Sequence, residues 1–181
     1  TRLHNLELAG EEWIWAMIIT KECTVIICVV YLPPNLSEGR HQVFVDRLTE
    51  SVTLAHAYNP SCIFLTGDLN TGNIYLPQNL IIRSSGTTVF DNKLKDAAQT
   101  LDLTQLINTP TRTGENVQNL RDLLFVNNTT IVQESGSLSP FHNLDHFPIY
   151  VRFRFENKQY NKQHFKEIFD FRNIDTENLI N

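Results

Sequence analysis

One short stretch limits this chain more than any other: the apolar run Cys62-Ile63-Phe64-Leu65, which feeds into Gly67-Asp68-Leu69-Asn70. Four apolar residues bounded by Pro60 and Gly67 read as a buried strand, and the glycine permits a sharp exit from it. Asp68 and Asn70, two apart in extended chain, project to the same side. That sets an ionised acceptor beside an amide that both donates and accepts, a pair able to hold a water and a phosphate oxygen together. A second polar cluster, His142-Asn143-Leu144-Asp145-His146, comes directly before another strand. Two acid-bearing strand ends in one chain point to a phosphate-processing site.

The surrounding pattern alternates strand and helix. Residues Glu12 to Thr20 and Thr24 to Tyr31 read as neighbouring strands joined around Lys21-Glu22, and Pro33-Pro34 stops the second one. Ser37 caps a helix expected to run to about His56, with Phe44, Leu48, Val52 and Ala55 on one face. Asn59-Pro60 ends it, and the Gly-Asp-Leu-Asn strand follows. The stretch from Thr71 to Thr87 reads as a long irregular loop of the kind that often serves function. A second helical stripe runs through Phe90, Leu94, Ala97 and Leu101. Leu103 to Ile107, Leu120 to Val126 and Ile131 to Ser137 are short strand candidates. Ile149, Val151, Phe153 and Phe155 alternate with polar residues, the period of a half-buried strand. The expected fold is α/β, strands packed with helices outside, in mixed order rather than strict βαβ repetition.

Composition narrows the function classes. The chain has 181 residues, 41% of them hydrophobic, enough for one full core. Its longest apolar run, Val25 to Tyr31, is strand-sized, so no membrane partner is expected. Cys23, Cys28 and Cys62 are odd in number and lack metal-ligand spacing, so they read as small apolar residues in a reducing compartment. With no basic-apolar leader at Thr1, the expectation is an intracellular protein, cytoplasmic or nuclear and not secreted, read from inside a longer frame. The net charge of −5 lacks the basic footprint of a sequence-independent DNA clamp. An acidic site holding a divalent ion tolerates that balance, because the ion supplies the positive charge that meets phosphate.

Four segments now carry a resemblance. Val29-Val30-Tyr31-Leu32-Pro33-Pro34-Asn35, Thr66-Gly67-Asp68-Leu69-Asn70, Asp122-Leu123-Leu124-Phe125-Val126-Asn127-Asn128 and Leu144-Asp145-His146-Phe147-Pro148-Ile149 occur in this order. Together they resemble the endonuclease/exonuclease/phosphatase superfamily, and more narrowly the apurinic-like endonuclease domain of non-LTR retrotransposons. Thr109-Pro110-Thr111-Arg112 and the tail from Phe169 to Asp175 look like the same group. The resemblance implies a four-layer α/β sandwich truncated at its N-terminus. It places a partial domain over residues 1–155 and a linker over 156–181, leading toward a downstream reverse-transcriptase-like region. It also implies a Mg²⁺-dependent phosphodiesterase, with Mn²⁺ as a substitute, acting on DNA; no separate protein partner is expected.

The roles it implies can be weighed residue by residue. Asp68 would orient and help deprotonate an attacking water, with Asn70 holding Asp68 and a phosphate oxygen. Taken alone, Gly-Asp-x-Asn is more often turn chemistry. His146 would donate to a non-bridging phosphate oxygen as charge builds up. Asp122 would fix its tautomer and favour its charged form, and Asp145 would sit near metal or water. An isolated Asp-His pair is usually a local loop contact, and His142 reads as a loop residue. Tyr31 would reach phosphate from its strand end, a position more often given to packing. Arg112 would meet the DNA backbone or be a solvated loop charge.

The chain also departs from the pattern. Arg121 stands where an apolar residue is usual, and it would need a partner, a carboxylate being the obvious one. Leu144 replaces a small polar residue. The family's amino-terminal Asn and its metal-binding Glu have no counterpart, since Glu7, Glu11, Glu12 and Glu22 lie too close to Tyr31. Without them, metal would be held poorly, and missing strands would leave an apolar edge. Three readings result: a DNA-nicking endonuclease, a catalytically incomplete remnant of one, or a phosphoesterase acting on a small molecule.

Overall fold

The two long apolar runs near the start pair with each other. Strands β1 (Glu12–Ile19) and β2 (Thr24–Tyr31) are antiparallel, with Glu12 opposite Tyr31 and Ile19 opposite Thr24. The computed structural model describes residues 1–71, 89–114, 117–141 and 144–154. Helix α1 (Glu38–His56) begins where the sequence places its cap: Ser37 Oγ accepts from the Arg40 N–H at 3.3 Å, satisfying a donor with no partner inside the helix. Asn59, at φ +49°, turns the chain after α1 toward Pro60. The crossover through α1 makes β3 (Cys62–Asp68) parallel to β2, as a helical connection between neighbouring strands allows.

Helix α2 (Val89–Thr100) follows, then β4 (Thr104–Gln105), β5 (Arg112–Gly114), β6 (Val117–Asn119) and β7 (Asp122–Val126). Among the described residues the order in the main sheet is β1-β2-β3-β7-β4, with β2/β3 parallel and the other pairs antiparallel. Strands β5 and β6 form a separate hairpin that short periodic runs did not reveal. The last ribbon pairs β8 (Val132–Ser137) with β9 (Ile149–Phe153). Several expectations shrink: Leu103 to Ile107 holds only the two residues of β4, Leu120 to Val126 becomes β7 from Asp122, and Ile131 belongs to a 3₁₀ turn before β8.

Burial follows the pleat. Cross-strand partners share a face, so Trp13, Trp15, Ile26, Cys28, Ile63, Leu65 and Phe125 all meet the helices. Phe44 of α1 lies 5.8 Å from the Trp13 ring and 6.3 Å from Phe90 of α2. Truncating a buried ring such as Phe44 to alanine costs roughly 3–5 kcal/mol. On the opposite face, the β8–β9 ribbon covers part of the sheet, with Phe153 5.1 Å from Phe64. Ile14, Ile18 and Val29 remain exposed there. The apolar edge anticipated from sequence is therefore an apolar face. The edge of β1 is occupied, because the Leu3 N–H donates to Trp15 O, the Met17 N–H to Thr1 O, and Arg2 bridges Ala16.

All three cysteines are buried free thiols, and among the described residues no helix is long and apolar enough to cross a membrane. The expected loop over 72–87, His142, the end of the last strand at Phe155 and the proposed linker over 156–181 lie outside the described residues.

Candidate active site

Sheet register assembles the site. Glu12 is opposite Tyr31, Tyr31 is opposite Asp68, and Asp68 is opposite Asp122. Four strands thus carry one row of polar side chains across a single end and face of the sheet. Tyr31 is 43% exposed, so its ring lies open on that row. Gly67 makes the row close enough to work. At φ +144° its backbone passes Val30 so tightly that a Cβ would lie 1.8 Å from the Val30 carbonyl oxygen.

Beyond Gly67 the chain turns through Asn70, which sits in the left-handed region at φ +46°. From there its N–H donates to Asp68 Oδ1 at 3.0 Å, a short-range bond typical of Asp at a turn. Its side chain faces two partners: Nδ2 donates to Leu32 O at 2.8 Å, and Oδ1 accepts from Arg121 Nη1 at 2.8 Å. Arg121 therefore finds an amide rather than a carboxylate. Its Nε is buried with no hydrogen-bond partner among the described residues.

Asp122 meets His146 across the sheet end, with Nδ1 3.0 Å from Oδ2. A carboxylate at Nδ1 fixes the proton on that nitrogen and leaves Nε2 for another partner. Asp68, Asp122 and His146 each place one ligand atom within 4.8 Å of the others. Burial pushes the Asp68 carboxyl above its ordinary value. The bond from the Asn70 N–H opposes that rise, the neighbouring charge of Asp122 adds to it, and His146 and Arg121 pull it back down.

The loop bearing His146 is held by the hairpin strand β5. The Phe147 N–H donates to Thr111 O at 2.7 Å, the Thr113 N–H to Asp145 O at 2.9 Å, and Arg112 bridges His146 through backbone. Thr111 is fully buried, and its Oγ accepts from the N–H groups of both Arg121 and Asp122, at 3.0 and 2.9 Å. One hydroxyl thus ties the Asp122 strand end to the segment that carries His146. Thr111 was visible in sequence only as part of Thr109-Pro110-Thr111-Arg112; its position just before the arginine was the one available signal.

Arg112 and Asp145 lie apart from the cluster and meet each other, with Nε and Nη2 both 2.8 Å from Oδ2. The Arg112 guanidinium holds the Asp145 carboxyl below its ordinary value. Asp145 is half exposed and belongs to this pair rather than to the Asp68–Asp122–His146 group. Leu144 is exposed. Of the early glutamates, Glu7 is held by Arg2 and the Trp15 N–H, and Glu11 by Arg40 and Arg47. Glu12 sits at the far end of the polar row.

The oxygen donors in the cluster suit a hard cation. With His146 Nδ1 engaged by Asp122, the carboxylates of Asp68 and Asp122 remain, the number by which Mg²⁺ is commonly held beside substrate phosphate.

No protein-family model matches the chain, and no curated protein matches it in sequence. Solved structures do match. The endonuclease domain of TRAS1, a telomere-specific non-LTR retrotransposon, superposes with a TM-score of 0.65 at 14% identity, covering 87% of this chain and 67% of that one. The 3′ phosphatase NExo from Neisseria, bound to product DNA hairpin, gives 0.61 at 14% identity, with 85% and 69% covered. An endonuclease/exonuclease/phosphatase family protein from Leptotrichia buccalis gives 0.50 at 17% identity, with 79% and 53% covered. The chain has the endonuclease/exonuclease/phosphatase fold. It spans about two thirds of the length of the first two structures. The polar row lies at the end of the central strands of the mixed sheet.

Proposed function

We propose that the chain is the larger part of a Mg²⁺-dependent phosphodiester hydrolase that nicks DNA, as an endonuclease domain of a non-LTR retrotransposon polyprotein with a reverse transcriptase downstream. The observation that carries this reading is the Asp122–His146 pair, at 3.0 Å, held within 4.8 Å of Asp68 at one sheet end. Asp68 accepts a proton from the attacking water, which lies within hydrogen-bond reach of its carboxylate at the sheet end. The water oxygen bonds to phosphorus, the P–O bond to the leaving strand breaks, and the departing oxygen takes a proton from solvent. His146, oriented by Asp122 at Nδ1, donates through Nε2 to a non-bridging oxygen as charge builds up. Tyr31, exposed in the same row, reaches the same phosphate. Asp68 and Asp122 would hold a divalent cation, which would supply positive charge to the phosphate. The fold likeness to the TRAS1 domain, together with the order of the four motifs in the sequence, supports the retroelement branch.

The acidic net charge of −5 is compatible with a second reading, hydrolysis of a small phosphoester. Conversion of supercoiled plasmid to open circle in Mg²⁺, set beside turnover of bis(p-nitrophenyl) phosphate, separates the two. The expected result is nicking abolished by chelator and reduced on the order of 10²-fold or more by Asp68→Ala or His146→Ala. Undiminished nicking by either variant would remove that residue from the mechanism. Turnover of the small ester alone would favour the second reading.

A further inference from the structure

Arg121 is the residue of this site whose presence stability does least to explain. Its Nε–H is buried without a partner among the described residues, which is unfavourable. Its backbone does not depend on its side chain: the N–H donates to Thr111 Oγ, and the carbonyl accepts from the Leu69 N–H at 3.0 Å. What the guanidinium does is hold Asn70, with Nη1 2.8 Å from Oδ1.

We propose that Arg121 is a positioning residue that clamps the Asn70 amide, fixing the left-handed turn from which Asn70 serves both Asp68 and an incoming phosphate. The amide has two ends, and both are fixed. Its oxygen faces a charged donor and its nitrogen faces the Leu32 carbonyl, so the group cannot reverse without setting oxygen against oxygen. One amide hydrogen is spent on Leu32 and the other is left for a phosphate oxygen. The same clamp holds Asn70 at φ +46°, where its backbone N–H meets Asp68 Oδ1. A charged donor makes this bond roughly twice as strong as a neutral one would be, which offsets a backbone conformation that non-glycine residues seldom adopt.

This inference rests on the hydrolytic reading above, and its test has an arm that does not. Plasmid nicking is measured for the wild type, Arg121→Met, Arg121→Lys, Asn70→Ala and the double variant Arg121→Met/Asn70→Ala. The side-chain NH₂ signals of Asn70 are followed by ¹⁵N NMR and identified by their loss in Asn70→Ala. Arg121→Met should lose on the order of 10-fold or more in rate, as small misplacements at a reacting centre do. The double variant should be no slower than Asn70→Ala alone, because Arg121 acts through Asn70. The Asn70 NH₂ signals should shift and exchange faster with solvent in Arg121→Met, with partial recovery in Arg121→Lys. Additive losses in the double variant, or unchanged Asn70 signals in Arg121→Met, would overturn the proposal. If no form nicks DNA, the hydrolytic reading fails while the NH₂ signals still decide the clamp. If Arg121→Met does not fold, Arg121→Ala carries both measurements: shifted and faster-exchanging Asn70 signals support the clamp, and unchanged signals refute it.

Discussion

Thr111→Val isolates one hydroxyl. Valine keeps the shape and the branched Cβ of threonine, so the fully buried pocket stays filled and the change is the loss of Oγ. Two backbone donors then lose their acceptor, the N–H groups of Arg121 and Asp122, now 3.0 and 2.9 Å from it. A fully buried donor left unpaired costs about 1–3 kcal/mol; these two are part-buried, so together they should cost about 2 kcal/mol, still a sizeable part of a typical domain stability of about 5–15 kcal/mol. At roughly 2–4 °C per kcal/mol for a chain of this size, the melting temperature should fall by at least about 4 °C. Activity should fall further than stability alone explains, because Asp122 orients His146 and Thr111 joins the two strand ends. Thr111→Ser is the control: it restores the acceptor, gives up one methyl and should cost about 1 kcal/mol. The assay is thermal unfolding followed by circular dichroism, with plasmid nicking measured well below the transition. A valine variant that melts with the serine variant would refute the reasoning, since the hydroxyl would then be worth no more than a methyl group.

Two further outcomes are expected. Gly67→Ala sets a Cβ 1.8 Å from a backbone oxygen, a clash no side-chain rotation relieves; yield of folded protein and melting temperature should both fall steeply, and an alanine variant melting like the wild type would show that the strands part at little cost. Glu7, bound by Arg2 and the Trp15 N–H, has its carboxyl pulled down from 4.5 to about 2. A lowered folded-state value means its stabilisation is present above pH 4.5 and is lost as pH falls toward 2, so Glu7→Gln should flatten the melting-temperature profile across that window; an unchanged profile would assign the acid sensitivity elsewhere.

The secondary structure of the helix-bearing half was legible because its signals are local. Ser37, the stripe Phe44-Leu48-Val52-Ala55 and the stop at Asn59-Pro60 each act within a few residues, and α1 begins and ends where they put it. The same holds for β1 and β2, whose apolar runs bracket a two-residue polar turn. The hairpin of β5 and β6 escaped notice because strands of three residues are too short for a period to show. The openness of one sheet face was missed for a different reason: alternation reveals that a strand has two faces, and only packing reveals what covers each.

At the site, sequence by itself determined the residue types and their order: an acid beside an amide after Gly67, an acid opening β7, and an Asp-His pair before β9. Their partners were decided in three dimensions. Strand register, a long-range property, put Tyr31, Asp68 and Asp122 in one row. The 3.0 Å contact of His146 with Asp122 spans 24 residues, and that of Arg121 with Asn70 spans 51. Adjacent residues were parted as well: Asp145 turned to Arg112 while His146 turned to Asp122. Neighbours in extended chain point to opposite sides, so the motif that named both residues could not say that they would face different partners.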